Sequence, residues 1–595
     1  MRVLGISAYY HDSAACLVED GRIVAAAQEE RFSRKKHDAG FPEQSVRYCL
    51  AEAGADTVDA VAFYDKPILK FHRILETYLS VAPSGLRQFM RAVPTWVQGK
   101  LWIEKSIDES LERCGIRAPG DTFFPEHHES HAASAFFPSP YPSAAILTVD
   151  GVGEWATATV AVGRDDRLEI LNQLSFPHSL GLLYSAFTYF TGFEVNSGEY
   201  KLMGLAPYGE PRYAELIRDV LIDIRDDGSF RLDMGYFGYL DDMVMTSYKF
   251  EQLFGRPPRQ PGTTITRDDM DIARSVQEVT EDIMLRMARH ARTETGEHNL
   301  CLAGGVALNC VANGKILRAG IFDDVWIQPA AGDAGGSVGA ALSVCHQELG
   351  QPRTVDGDRM QGSCLGPEFS PQQIREYLDA SGIAYRELDD SEWAPTLARL
   401  LSAGKVVGLF QGRMEFGPRA LGNRSIVADA RAPDMQSILN RKIKFREDFR
   451  PFAPACLEER LGEYFEIDRP SPYMLLVAPV RAERRLPPGG DEHELEIQEW
   501  VGRQRSDLPA ITHVDHSARI QSVSRTSNPA FHRLLEAFES LTGCAVLVNT
   551  SFNVRDEPIV CTPEDAYRCF MRTEIDYLML GPFLLDKDEQ LTRPA

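Results

Sequence analysis

The chain opens on alternating apolar and polar stretches of strand length. Residues 3–6 are apolar, 7–13 polar, 14–18 apolar, the turn Glu19-Asp20-Gly21 polar, and 23–27 apolar again. That spacing predicts three short strands joined as an antiparallel meander. The same order recurs downstream, with an apolar run at 144–149, a loop at 150–154, a strand at 157–162, the turn Gly163-Arg164-Asp165-Asp166 and a strand at 168–171. Repetition of a whole supersecondary unit predicts two duplicated lobes, whose first loops can hold phosphates through backbone N–H groups.

Helical spacing of apolar residues predicts helices at 42–55, 107–114 and 268–295. The strand-like run from Leu302 enters Gly304-Gly305 and then Asn309, a pattern in which glycines let a nucleotide approach the backbone at a helix start. A second cluster, Gly332-Asp333-Ala334-Gly335-Gly336-Ser337, opens an apolar helix. Spacing alone favours Asp333 as a cap over a metal ligand. Residues 351–370 lack a strong period and are rich in Gly, Pro and polar residues, which predicts a domain boundary.

Beyond it, an apolar run at 406–410 leads into a loop carrying Arg413, Arg419 and Arg424, and basic groups again alternate with aromatics across 442–454. Guanidinium groups in such loops suit phosphate or carboxylate recognition. A third segment, 513–521, precedes a strand at 545–548 that ends in Asn549-Thr550-Ser551, polar groups placed to orient a ligand. Residues 486–491 read as a surface insertion.

Composition narrows the class. The 595 residues carry 63 Lys and Arg against 86 Asp and Glu, a net charge of -23, which argues against broad nucleic-acid binding. No apolar stretch is long enough to span a bilayer, and the start lacks a signal-peptide pattern, so a cytoplasmic enzyme is expected. Eleven scattered cysteines without a C-x-x-C pair suit a reducing compartment and exclude a zinc ribbon.

His127 and His131 stand four apart, a spacing that lets two imidazoles grip one metal from one helical turn. Asp150-Gly151 follows the apolar run 144–149, so an acid and a flexible loop are delivered by a strand. The metalloprotease pattern fails because His128, not Glu, follows His127, and no P-loop or G-x-S-x-G elbow is present. What remains is a metal and nucleotide region joined to an arginine-rich anion site.

The chain resembles the O-carbamoyltransferases of the nodulation and antibiotic-tailoring type, such as the tobramycin and cephem enzymes. The resemblance spans nearly its whole length and rests on HDSAA at 11–15, EERFSRKKH at 29–37, HHESHA at 127–132, TVDGVGE at 148–154, GEYKLMGLAPYG at 198–209, GGVALN at 304–309, GDAGGS at 332–337, EFGPRALGNRS at 415–425, KFREDFRPFAP at 444–454 and VNTSFN at 548–553. It implies an α/β fold with an actin/hexokinase-like, Kae1-like duplicated ATPase domain over 1–352, a linker over 353–370 and a YrdC-like α/β domain over 371–595.

By the same resemblance, carbamoyl phosphate and ATP, with Mg2+, give carbamoyl adenylate in the second domain, held by Arg419, Lys444, Arg450, Arg519, Asn549 and Ser551. Arg413, Arg424 and Arg446 are neighbours whose share is open. The first domain is then expected to pass the carbamoyl group to a hydroxyl of a small molecule or sugar, in antibiotic or glycan tailoring. His127, His131, Asp150 and Asp333 are implied to bind a divalent metal, iron being expected and zinc or manganese the alternatives. His11 is implied as general base, Lys36 as an acceptor-side catalytic group, and Gly151, Gly304, Gly305, Asn309 and Gly332 as nucleotide-binding, with His128 behind the metal shell or at the surface. No nucleic-acid or membrane partner is expected, and self-association is left open. The alternatives are a fused tRNA threonylcarbamoyladenosine-type enzyme, disfavoured by the acidic charge, and a non-catalytic actin-superfamily ATPase.

Overall fold

The computed structural model describes residues 1–98, 102–116, 121–487 and 497–591. Positions 488–491 of the expected surface insertion lie outside them. No described helix is long and apolar enough to cross a membrane.

Two compact units divide the chain. The first comprises Met1–Glu29 and His37–Arg359, the second Glu30–Lys36 and Met360–Ala595. The main division, between Arg359 and Met360, lies within 353–370, and the short segment Glu30–Lys36 of the first half is grouped with the second unit. Long-range side-chain contacts decide its allegiance, and these leave no local periodicity to read.

The first unit holds two five-stranded sheets of the same topology. In one, Arg22–Gln28, Ala14–Glu19, Arg2–Ser7, Ala60–Phe63 and Thr122–Phe123 lie side by side; in the other, Arg167–Ser175, Ala156–Arg164, Ser143–Val149, Asn299–Ala303 and Asp324–Ile327. Each consists of an antiparallel meander whose first strand pairs in parallel with the fourth. This is the duplication expected of an actin/hexokinase-like α/β unit. Val3, Leu4 and Ile6 of one first strand, and Ile146, Leu147 and Val149 of the other, are buried, which explains their near-continuous apolar runs.

The helices His127–Phe136 and Asp333–Ser343 lie against each other, and small residues set how closely. A Cβ on Gly339 would fall 1.7 Å from the Ser130 carbonyl oxygen, and one on Gly5 would fall 1.9 Å from the Ser337 carbonyl. Only glycine lets the backbones approach this far. The long helix Arg267–Thr295 begins on a capping box of Thr266 and Asp269 and stops at Gly296, which is left-handed at φ 69°.

The second unit is built on a nine-stranded mixed sheet with central strands Val407–Phe410, Arg424–Asp429, Val546–Ser551, Ala453–Leu457 and Ser517–Val523. The helices Asp390–Ser402 and Pro529–Thr542 pack together and bury Trp393, Leu397, Leu401, Phe531, Leu535 and Phe538 in one core with the sheet. Full burial of each such side chain contributes roughly 1.5–3 kcal/mol.

Candidate metal centre and anion site

In the first unit the sequence folds so that three separate elements end at one point. Glu126 and Glu129 form a capping box that starts the helix His127–Phe136, and both Glu154 carboxylate oxygens accept the His127 N–H at 3.1 Å. His127 and His131 then project one turn apart. Asp150 follows the strand Ser143–Val149, and its Oδ1 accepts the Gly305 N–H at 2.8 Å, leaving Oδ2 for the histidines. Gly304 has φ +88°, and a Cβ there would fall 2.3 Å from the Val149 carbonyl oxygen, so the glycine pair seen in the sequence presses the two strand ends together. Asp333 enters from the start of the second helix. It makes no capping bond there, so its role as cap, which spacing favoured, is corrected.

His127 Nε2 is 3.1 Å from His131 Nε2, 3.2 Å from Asp150 Oδ2 and 3.7 Å from Asp333 Oδ1; His131 Nε2 is 3.9 Å from both carboxylates. All four residues are buried, at 1%, 1%, 9% and 4% exposure for His127, His131, Asp150 and Asp333. Two ligands each about 2.0–2.1 Å from one ion stand roughly 3.0–3.4 Å apart, so the shortest of these separations suit a shared cation. Burial and the neighbouring His131 hold His127 well below its ordinary range and therefore neutral. Burial would raise Asp150, but the histidines outweigh it and hold its carboxyl well below the usual range. Asp333 is raised, by burial and by the Asp150 charge nearby. A neutral His127 imidazole, with His131 beside it and crowded carboxylates, forms a donor set that a divalent ion would satisfy. The four could bind a metal.

His128 points away. Its Nδ1 meets Thr148 Oγ1 at 2.6 Å, which meets Thr159 Oγ1 at 2.6 Å, and burial lowers its pKa to about 3. It is a buried group behind the centre, not a surface one.

His11 Nε2 is 3.8 Å from Asp333 Oδ2. Sequence reasoning passed over what orients it. Asp12 accepts from His11 Nδ1 at 3.0 Å on one oxygen and from His37 Nδ1 at 2.8 Å on the other. Asp12 and His37 both adopt positive φ, 53° and 55°, an uncommon conformation for such residues. The neighbouring Asp12 inside HDSAA was the available signal. Burial lowers His11, but Asp333, Asp12 and Asp150 outweigh it and raise it to about 9.

Asn309, expected at the nucleotide, is occupied: it caps the helix Cys310–Arg318 through Ala312 N–H and exchanges two hydrogen bonds with Gln277. By contrast, a Cβ on Gly151 or Gly332 would meet open space.

In the second unit, the loop bearing Arg419 is fixed from two directions. Glu415 Oε1 accepts the N–H groups of Leu421 and Asn423, at 2.6 and 2.8 Å. Asn549 Nδ2 donates to the Ala420 carbonyl at 3.2 Å and to Gln521 Oε1 at 2.7 Å, while Gln521 donates to the Leu421 carbonyl. Asn549 thus shapes the loop. Lys444 is buried, and its ammonium donates to the Ser551 carbonyl at 2.7 Å and to the carbonyl and Oδ1 of Asn553 at 2.7 and 2.5 Å. An ammonium has three donors. Here its protons hold the end of the strand Val546–Ser551. Ser551 Oγ is engaged as well, donating to Asn553 Oδ1 at 2.7 Å.

The remaining arginines of this unit have protein partners of their own. Arg424 is fully buried over the Phe410 ring and donates to the carbonyls of Gln411, Gly412, Asn423 and Pro367. Arg413 donates to the carbonyls of Leu365 and Gly366. Arg446 lies 4.5 Å over Phe452 and donates to Asn440. Arg450 lies beside Glu447 at 3.7 Å, and half-buried Arg519 stands on the strand Ser517–Val523, opposite Val477.

Two histidines and two carboxylates converging between duplicated lobes, in a chain with a separate arginine-bearing unit, define a two-part α/β enzyme with a metal-binding capacity. Comparison with known proteins gives its family. Residues 2–342 match Carbamoyltransferase N-terminus and residues 398–587 match Carbamoyltransferase C-terminus, so the chain belongs to the carbamoyltransferase family of enzymes. It is similar to the uncharacterized protein sll1178 of Synechocystis sp., 58% identical over 99% of this chain and 97% of that one. Nodulation protein NolNO of Sinorhizobium fredii is 37% identical over 97% of this chain and 79% of its own length. HypF of T. kodakarensis, a solved structure, aligns at 12% identity over 59% of this chain and 48% of that one, with a TM-score of 0.28, too slight a likeness to bear on the assignment.

Proposed function

We propose that the protein is an ATP-dependent O-carbamoyltransferase acting in two half-reactions. In the second unit, read as YrdC-like, carbamoyl phosphate is hydrolysed to carbamate and phosphate, and a carbamate oxygen attacks the α-phosphorus of ATP as pyrophosphate departs. Arg419, Arg450 and Arg519 are assigned to the developing phosphoryl charge, where guanidinium forks are effective. In the first unit the acceptor hydroxyl oxygen attacks the carbamoyl carbon, the bond from that carbon to the phosphate oxygen breaks, and AMP leaves.

The buried convergence of His127, His131, Asp150 and Asp333 beside His11 carries this reading. These four would hold a divalent ion, iron being the first expectation, which supplies Lewis-acid stabilisation of negative charge. Asp12 holds His11 Nδ1, which leaves Nε2 to receive the acceptor proton. At a pKa of about 9 that nitrogen is already protonated at neutral pH, so His11 becomes a base only when the charge of Asp333 and Asp150 is offset. The acceptor class is a hydroxyl-bearing small molecule or glycan.

Pyrophosphate exchange into ATP, with and without carbamoyl phosphate, tests the first half-reaction. Exchange that depends on carbamoyl phosphate is expected; exchange indifferent to it rejects the proposal.

A further inference from the structure

The segment Glu30–Lys36 lies in the first half of the chain yet is part of the second unit. Its contacts there are specific. Arg31 donates to the Gly417 carbonyl at 2.8 Å, two residues from Arg419. Phe32 packs on Met414, Ala420, Ile559 and Cys561, the small cluster beneath the same loop. Arg34 donates to the carbonyls of Pro558 and Ile559 at 2.8 and 2.7 Å and lies 3.6 Å from Asp565.

These anchors bring the end of the segment to the strand terminus that Lys444 holds. The chain from Phe552 to Val560 closes on itself through the Val560 N–H and the Phe552 carbonyl, at 2.9 Å. Lys444 grips one side of that closed loop at Ser551 and Asn553, and Arg34 grips the other at Pro558 and Ile559. Lys36 follows two residues after Arg34. It is half-buried, and among the described residues its ammonium makes no hydrogen bond or ion pair.

Lys36 lies within electrostatic reach of Lys444, which Arg446 and Arg450 also face, and a cluster of basic groups suits an anion. Lys444 donates to carbonyl and amide oxygens beside the same loop. From this geometry we infer that Lys36 is a phosphate-binding residue of the second unit, contacting a phosphoryl group of carbamoyl phosphate or ATP, rather than an acceptor-side group. Burial, together with the positive charges of Arg446, Arg450 and Lys36, pushes the Lys444 ammonium well below its ordinary range, which agrees with a site short of negative charge.

The inference rests on the two-step reading above, so its test keeps the two apart. Lys36→Met keeps the aliphatic stem and disturbs no bonded partner; Lys36→Arg restores the charge. Pyrophosphate exchange dependent on carbamoyl phosphate should fall about 10–100-fold in Lys36→Met, with partial recovery in Lys36→Arg. Exchange at the wild-type rate in Lys36→Met, with only transfer to a hydroxyl acceptor lost, would overturn the inference while leaving the two-step reading intact. Were the wild-type protein itself to show no such exchange, the two-step reading would fail. Calorimetric titration with carbamoyl phosphate or inorganic phosphate would then decide the role of Lys36: binding weakened about tenfold or more in Lys36→Met supports it, and equal binding refutes it.

Discussion

His127 Nε2 and His131 Nε2 face each other at 3.1 Å in a pocket where neither residue is exposed by more than 1%. A single shared proton could satisfy one such contact, but not the Asp150 and Asp333 oxygens that close on the same point. Removing one imbalanced partner should therefore cost the ion, not the fold. His131→Ala is expected to weaken divalent-metal binding by at least about 100-fold. Metal analysis after gel filtration measures this, and pyrophosphate exchange should remain. Equal metal content in wild type and variant would exclude His131 as a ligand.

The approach of the two site helices depends on a missing side chain. With only 1.7 Å between a Gly339 Cβ and the Ser130 carbonyl oxygen, Gly339→Ala must push the helices apart. A loss of about 1–3 kcal/mol is expected. Because Ser130 precedes His131, and Gly339 shares a helix with Asp333, metal affinity should fall along with the melting temperature. Unchanged affinity in a destabilised protein would show that helix spacing does not set the ligand geometry.

Arg424 offers a test in the second unit. Its guanidinium meets four main-chain carbonyls over an aromatic ring, and burial pushes its pKa down. Lysine keeps the charge but loses the planar fork. Arg424→Lys should destabilise the unit by about 2–4 kcal/mol, through carbonyls left without donors. Chemical denaturation followed by Trp fluorescence measures the change. A variant of wild-type stability with a raised KM for carbamoyl phosphate would instead place Arg424 at the substrate.

Much of the first unit was legible because its signals are local. Two meanders showed as strand-length apolar runs and turns; Asp150, after the first strand of the second meander, and Asp333, at a helix start, were placed by their glycine neighbours. What a side chain touches across the fold was not legible. His127 and His128 look alike in sequence, yet one faces the centre and the other Thr148. The segment 442–454 reads as an anion site because basic residues alternate with aromatics; that the Lys444 protons reach Ser551 and Asn553 shows only in the fold. The transfer of Glu30–Lys36 to the second unit depends on carbonyls more than 380 residues away and has no sequence signature.

In metal-free protein His11 should titrate at about 9, against an ordinary value of 6.5, because burial is outweighed by Asp333, Asp12 and Asp150. A group raised on folding stabilises the native state fully below its unfolded pKa, and that contribution is lost as pH rises through the folded value. Metal-free protein should thus lose stability through this group between pH 6.5 and about 9. A divalent ion at Asp150 and Asp333 offsets the carboxylates that hold the proton, so His11 should then titrate lower and this part of the pH dependence should flatten. Ring-proton NMR with and without zinc, compared with His11→Gln to assign the signal, follows it directly. A midpoint near 6.5 in the metal-free protein would mean that these carboxylates do not govern His11, and the proton held on Nε2 would need another explanation.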